Sequence, residues 1–402
     1  MYRLLFFFAA AMAGAETVSL PMEALPGRVS THHYGLRVAR AAIEEAKARL
    51  AGAGRLPNPS AGVDWRPQNR LNPGTAVFSV EQAFPVTRRL SLEKKLGAQQ
   101  VAAAVLEVRD VERRLIAEAR TTAVQLLALE ARRALAVEQV QLSEAVAAAA
   151  GKRAEKGEGS GADAAQAELD AARAALELSR LEGEMTVQSE RLKPAVGLGP
   201  EDRLVLAGKL GEPVAVADGG AWVGRPDYQL ARARSDAAAT SVALAKARKW
   251  DDWSAGLTGG PEYQRINGDA QTTGFAGIRL SVPLPFWNRN EGEIAAAGAA
   301  AVRAREELAA LGVEIAAEAA TARREMEVLA ATAGRLTRTL LPAAAEQTAK
   351  LEKSWQAGEV PFAVFLRARE QQLEIQAMGL DLRRDYHLAR IRFEAATAIP
   401  RP

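Results

Sequence analysis

Phe78-Ser79-Val80-Glu81-Gln82-Ala83-Phe84-Pro85 and Ile278-Arg279-Leu280-Ser281-Val282-Pro283-Leu284-Pro285 follow one plan at an offset of 200 residues. In each, apolar and polar side chains alternate, as in a strand with one face apolar and one face polar. Working upstream, Tyr34, Ala39, Arg40 and Ser60-Ala61-Gly62 match Tyr228, Ala233, Arg234 and Ser254-Ala255-Gly256 at a constant offset of 194. Working downstream, Gly157-Glu158 matches Gly358-Glu359, and Ala167 matches Ala368, at an offset of 201. The chain reads as two copies of one unit: short helix, strand, strand, long helix, glycine turn, helix. A duplicated plan with helices this long suggests an object that spans a distance rather than a packed catalytic domain.

The strands are two-faced. Ala61, Val63 and Trp65 alternate with Asp64 and Arg66, and Asn72-Pro73-Gly74 marks a turn. Ala76, Phe78 and Val80 then alternate with Ser79 and Glu81. In the second copy Trp253, Ala255 and Leu257 alternate with Ser254, Gly256 and Thr258, and Ala276, Ile278, Leu280 and Val282 with Arg279 and Ser281. The stretch Gly259 to Thr273 reads as a longer, polar external loop.

Two arrangements would satisfy such strands. A soluble sandwich buries the apolar faces against each other, though four strands make little sandwich. A membrane barrel turns Val63, Trp65, Phe78, Val80, Leu257, Ile278 and Leu280 to lipid and Asp64, Arg66, Glu81 and Arg279 to a wet interior. Four strands cannot close around water, so a barrel requires several copies; three would give about twelve strands. Trp65, Trp253 and Trp287 fall at or near strand ends, where an interfacial aromatic belt would sit.

From Arg88 to about Arg153 there is no proline, and glycine occurs only at Gly97 and Gly151. Some 65 helical residues at 1.5 Å each reach about 100 Å. Val101, Val105, Val108, Leu115, Ala119, Thr122, Leu126 and Leu129 keep spacings of three, four or seven, a seam for a neighbouring helix. The second long helix runs from about Arg289 with Pro342 as its kink, and a return helix follows each glycine turn. Residues 16–30 read as irregular, before a helix from Tyr34 to Leu50. Hydrophobic residues make up 48% of the chain but aromatics only 5%, because alanine supplies much of the apolar content; that composition favours close-packed helices over a bulky core.

At the N-terminus, Met1-Tyr2-Arg3, an apolar stretch from Leu4 to Met12, and Ala13-Gly14-Ala15 form an export-signal pattern, with a mature start at Glu16. No later segment is apolar for the length of a transmembrane helix. Cysteine is absent, which removes disulfides, thiolate metal sites and a lipid-modified N-terminal cysteine. The net charge of +3, or +2 once Arg3 is lost, gives no support for nucleic-acid binding. Metalloprotease, P-loop, dinucleotide and triad signatures are missing, so neither an enzyme nor a cofactor is expected. His32-His33 is a weak metal candidate, since adjacent side chains rarely converge.

The approach to the first strand, Ala53-Gly54-Arg55-Leu56-Pro57-Asn58-Pro59, and Arg225-Pro226-Asp227 before an Ala-rich helix resemble the TolC superfamily of outer-membrane efflux channels. Ser281-Val282-Pro283-Leu284-Pro285-Phe286-Trp287-Asn288-Arg289-Asn290-Glu291-Gly292-Glu293-Ile294 is similar to the heavy-metal branch, the CzcC-like components of cation efflux systems. The resemblance spans nearly all of the mature chain. It implies a mainly α fold with a small β part. A homotrimer would form one twelve-stranded barrel in outer-membrane lipid, continued by a helical barrel in the periplasm. It further implies a passive channel served by a periplasmic adaptor and an inner-membrane pump of the resistance–nodulation–division class. Without a lipidated cysteine, the barrel alone would hold it.

The expected layout is then as follows. A signal peptide occupies 1–15 and a first repeat 16–192, with hairpin 60–85, long helix 88–153, tip 154–161 and return helix 162–192. An equatorial segment over 193–222, with Gly197-Leu198-Gly199-Pro200 and Gly219-Gly220, precedes a second repeat over 223–402. Its hairpin is 253–285, its long helix 289–353, its tip 354–360 and its return helix 361–398. Gly157, Glu158, Gly358 and Glu359 would be the tips that meet the adaptor. In TolC-like channels acidic residues six and nine positions past the tip glycine narrow the entrance. Here those positions carry Asp163 and Gln166, and Val364 and Arg367, so a charged gate would rest on Asp163 and on Arg367 paired with it or with a tip glutamate. A periplasmic adaptor and a structural coiled-coil protein are the alternatives; an adaptor would need a lipoyl-like β domain around one hairpin.

Overall fold

The computed structural model describes residues 17–66, 74–214, 222–266 and 269–397. The expected signal peptide, Asn72-Pro73 and Gly219-Gly220 lie outside them. In chain order the elements are β1 (Thr17–Pro21), α1 (Leu25–His32), α2 (Tyr34–Gly52), β2 (Ser60–Arg66), β3 (Thr75–Phe84), α3 (Arg89–Glu155) and α4 (Gly161–Leu192). Then come β4 (Arg203–Ala207), α5 (Pro226–Ala247), β5 (Trp253–Ile266), β6 (Asp269–Ser281) and α6 (Glu291–Arg335). A π-helical turn, Leu336–Leu340, leads into α7 (Leu341–Gln356), and α8 (Phe362–Thr397) ends the described chain. The chain divides into two compact units. One takes in the residues up to Val38, Arg109–Arg225 and those from Val313 onward; the other takes in Ala39–Val108 and Pro226–Gly312.

In the first unit β1 and β4 form a parallel pair, with Val18 beside Leu204 and Leu20 beside Leu206. Alternation in Arg203-Leu204-Val205-Leu206-Ala207 buries both leucines and leaves Val205 exposed. They pack with Leu25 and Val29 of α1, Ile116, Ala123 and Leu127 of α3, and Leu192 at the end of α4. The expectation of an irregular chain over 16–30 is therefore corrected: a strand and a helix lie there. Thr17-Val18-Ser19-Leu20 alternates too briefly to signal a strand by itself, and its partner begins only at Arg203.

Ile116, Ala123, Val124 and Leu127 are buried on α3 beside the seam residues Ala119 and Leu126, so the buried stripe is wider than a two-helix seam. A second cluster joins Ala322 and Met326 of α6 to Tyr386, Ala389 and Phe393 of α8. Several charges beside these clusters are paired, since burial of a lone charge is costly. Glu394 accepts from Arg120 at 2.6 Å and from Arg390 at 2.7 Å. Arg225 meets Glu318 at 2.6 Å. The segment after β4 is held on α8 by Tyr386, whose hydroxyl donates to the Val214 carbonyl, and by His387, whose Nε2 bonds the Gly211 carbonyl; both are 2.9 Å. Burial, with Arg390 and Arg120 nearby, holds the His387 imidazole below its usual range.

Pro342 sits in the first turn of α7, directly after the π-helical turn. It has no N–H to offer the carbonyl of Arg338, and the wider turn absorbs the missing bond. The longer α3 contains no proline and runs 67 residues without such a break.

In the second unit the sheet order is β2-β3-β5-β6, antiparallel throughout. The sheet is tied to its helices by Arg89 and Asp252 at 2.6 Å, and by Arg248, which reaches Glu93 and Glu293. Asn290 adopts a left-handed φ of 59°; its side chain donates to the Ala245 carbonyl at 3.0 Å and to Glu293 at 2.8 Å, which sets the start of α6. The stretch read as an external loop, Gly259 to Thr273, is instead mostly strand: β5 runs on to Ile266 and β6 begins at Asp269. Gly259-Gly260-Pro261 looks like a strand breaker. The glycines are there because neighbouring backbone passes close. A Cβ on Gly260 would lie 1.9 Å from the Ala76 carbonyl oxygen, and one on Gly259 2.9 Å from that of Phe275.

Candidate pore strands and helical tips

Residues directly opposite in an antiparallel sheet point to the same side, so the pairing sorts every side chain of the sheet. One transverse row is Ala61, Val80, Leu257 and Ile278; the next is Val63, Phe78, Gly259 and Ala276. Trp65 and Ala76 continue that face at one end, and Leu280 with Ala255 and Gln82 at the other. Val63, Trp65, Phe78, Val80, Leu257, Ile278 and Leu280 thus share one face, and all are exposed, Ile278 to 85%. Phe84 and Trp253, paired at the helix-proximal end, are exposed on the same face.

The opposite face carries Ser60, Glu81, Gly256 and Arg279 in one row and Gly62, Ser79, Thr258 and Gly277 in the next. Asp64 pairs with Val77, and the row beyond joins Arg66, Thr75, Glu262 and Thr273. Asp64, Arg66, Glu81 and Arg279 therefore lie together on this face, where glycine and hydroxyl residues fill most other positions. Arg66 holds Asp64 at 2.8 Å, and Ser254 donates its hydroxyl to the Glu81 carboxylate. Sequence reasoning missed Glu262, because it fell within the supposed loop. Continuing the alternation past Thr258 would have found it.

Both edges of the sheet, β2 and β6, lack a partner strand among the described residues. A large apolar face in full contact with water, in a sheet with two open edges, is a configuration a soluble monomer avoids. No described helix is long and apolar enough to cross a membrane.

The two helix ends named as tips are built alike. At the first, the Glu158 N–H donates to Arg153 at 2.8 Å and the Gly157 N–H to Ala154 at 3.0 Å. At the second, the Glu359 N–H donates to Ser354 at 2.8 Å and the Gly358 N–H to Trp355 at 2.9 Å. Gly157 and Gly358 have φ of 74° and 76°, the left-handed conformation this double bond requires. Ser160 then caps α4, its hydroxyl accepting from the Ala162 N–H, and Asp163 sits in the first turn, where the helix dipole favours a carboxylate. The second tip is closed by aromatic rings: Trp355 stacks on Phe365 at 5.4 Å and meets Phe362 at 5.0 Å.

Within one chain, and among the described residues, Arg367 makes no ion pair with Asp163, Glu158 or Glu359. It lies near Glu370 on α8. Burial, with Asp170 of α4 adding repulsion, holds the Glu370 carboxyl above the usual carboxylate range, and Arg367 offsets part of the rise. His32 and His33 are engaged locally: His32 bonds Thr31 and the Arg28 carbonyl, and His33 Nδ1 accepts from the Gly35 N–H.

No protein-family model and no curated protein matches the chain. Solved structures share its fold. A membrane protein from Pseudomonas aeruginosa superposes with a TM-score of 0.75 at 17% identity, over 94% of this chain and 93% of that one. The outer membrane channel MtrE of Neisseria gonorrhoeae, in its open state, gives 0.74 at 15% identity over 94% and 88%. The outer membrane protein VceC from Vibrio cholerae gives 0.71 at 19% identity over 94% and 95%. The likeness is one of fold: a mainly helical chain with a small sheet part, built as in outer-membrane channels.

Proposed function

We propose that this chain is one protomer of a passive outer-membrane exit channel, the terminal part of a tripartite efflux system with a periplasmic adaptor and a resistance–nodulation–division pump. The observation that carries the reading is the sheet. Its apolar face is exposed, its polar face is rich in glycine and hydroxyl groups, and among the described residues its two edges are open. Lipid cannot satisfy open strand edges, so such a sheet crosses a membrane only as part of a closed barrel. Three copies supply about twelve strands, enough to enclose water.

On this reading hairpins 60–85 and 253–285 form the barrel. Val63, Trp65, Phe78, Val80, Leu257, Ile278 and Leu280 meet lipid, and Asp64, Arg66, Glu81 and Arg279 line the pore. The Gly157-Glu158 and Gly358-Glu359 turns meet the adaptor at the periplasmic end. The segment Ser281 to Ile294 supports heavy-metal cations as cargo, with small toxic compounds as the broader class. The channel performs no covalent chemistry. The deciding experiment purifies the protein from outer membranes in mild detergent, measures its mass and records from it in planar bilayers. A trimer with stable conductance is expected; a monodisperse monomer that still conducts removes the reading. Metal sensitivity of a deletion strain tests the cargo.

A further inference from the structure

The polar face of the sheet contains a row with opposite charges at matched positions. Pairing sets Glu81 of β3 beside Gly256 of β5, and Gly256 beside Arg279 of β6. The carboxylate and the guanidinium stand on one face, at one level, two strands apart, with only a glycine between them. Strand spacing puts their backbones about 10 Å from each other. The glycine is required. A Cβ at Gly256 would lie 2.6 Å from the Val80 carbonyl oxygen and 3.2 Å from the Glu81 Cβ. Any side chain there would push Glu81 aside and stand between the charges. Ser254, two residues away on the same strand and face, fixes the Glu81 carboxylate by donating its hydroxyl.

We propose that Glu81 and Arg279, opposed across Gly256, set the charge selectivity of the pore by cancelling each other at the helix-proximal end of the sheet. The inference rests on the channel reading. Three copies would carry three carboxylates and three guanidiniums at one level, alternating in sign around the wall. A ring of one sign concentrates counter-ions and excludes co-ions. A ring of alternating sign, spaced by about one Debye length at 0.1 M salt, largely cancels for an ion on the axis. The next group of charges on this face, Asp64 beside Val77 and Arg66 and Glu262 on either side of Thr75, lies four to six residues further along β3, about 13–20 Å away. It is too distant to compensate a lost charge in the first row at moderate salt. The pair thus lets cargo of either sign pass, and each member masks a strong preference that its partner would otherwise impose.

The test is the reversal potential of single channels in a salt gradient. The wild type should discriminate weakly. Glu81→Gln should leave a ring of guanidiniums and shift the permeability ratio toward anions by about threefold or more. Arg279→Gln should shift it toward cations by a similar factor, and the double variant should return near the wild type. Raising salt to 1 M should collapse both shifts, because screening shortens to about 3 Å. Glu81→Cys gives a second measurement on channels already assembled, in a chain that has no other cysteine. Attaching a negatively charged thiol reagent should restore wild-type selectivity, and a positively charged one should push it further toward anions. Conducting channels whose selectivity is unmoved by either substitution, or moved in the same direction by both, overturn this proposal and leave the channel standing. Failure of the wild-type protein to conduct at all overturns both.

Discussion

Gly157 and Gly358, 201 residues apart, end their helices with the same two backbone hydrogen bonds and with φ angles 2° apart (74° and 76°). Among the described residues a Cβ at either would meet nothing within 4 Å, so the glycine is demanded by backbone conformation and not by space. Gly157→Ala and Gly358→Ala should therefore each cost about 1–2 kcal/mol, the penalty for an L-residue in the left-handed region. Thermal unfolding should show losses of similar size for the two variants, and a loss at only one would mean that the tips are not equivalent.

The apolar face of the sheet gives a second expectation. On the channel reading Val80 lies mid-face, between Leu257 and Ala61. Val80→Arg should destabilise the inserted channel by about 2–4 kcal/mol. Glu81→Gln, one residue along on the other face, should leave assembly intact. Folding into lipid vesicles under denaturant titration reads both; the opposite ranking would require the faces to be exchanged.

At the second tip Arg367 stands near Glu370, which faces Asp170. Arg367→Glu would place a third carboxylate near Glu370 and Asp170 and add like-charge repulsion there. Conductance of the purified channel should rise, and Asp163→Lys should change it as well. If neither substitution alters conductance, the tip charges do not gate the entrance.

His387 supplies a pH dependence. Its pKa in the fold is depressed, chiefly by burial, so between the folded and unfolded values the unfolded chain binds more protons. Stability is then fully present above about 6.5 and is lost as pH falls toward the folded value. The groups around it are Arg390 and Arg120, which oppose its protonation, and Glu394 and the Gly211 carbonyl, which favour it. Burial would raise Glu394, but Arg120 and Arg390 outweigh it and hold it below the usual range. The stability Glu394 adds is present above about 4.3 and declines only below that. Melting temperature should fall between pH 7 and pH 5.5, and His387→Gln should flatten that part of the profile.

The mainly helical character was legible because a proline-free, alanine-rich run such as Arg88 to Arg153 has few alternatives. The sorting of Val80 from Glu81, and of Ile278 from Arg279, was legible because a strand has a period of two. What could not be read locally depends on partners far along the chain. β1 needs β4; Gly259-Gly260-Pro261 stays in a strand because Ala76 and Phe275 approach it; the rings of Trp355, Phe362 and Phe365 come from opposite arms of one turn. Glu262 was lost with the strand that carries it. The opposition of Glu81 and Arg279 needs the register of three strands, and no periodicity along one strand contains it.

The two open edges of the sheet bear on inheritance as well as on architecture. On the proposed trimer each copy contributes a third of one closed wall, so a copy that reaches the assembly but cannot complete its strands spoils the other two. When normal and defective copies are made in equal amounts and mix freely, only about one trimer in eight contains three normal chains. Mutations confined to β2 or β6 should therefore behave as dominant alleles, whereas mutations that stop the chain from folding at all should be recessive.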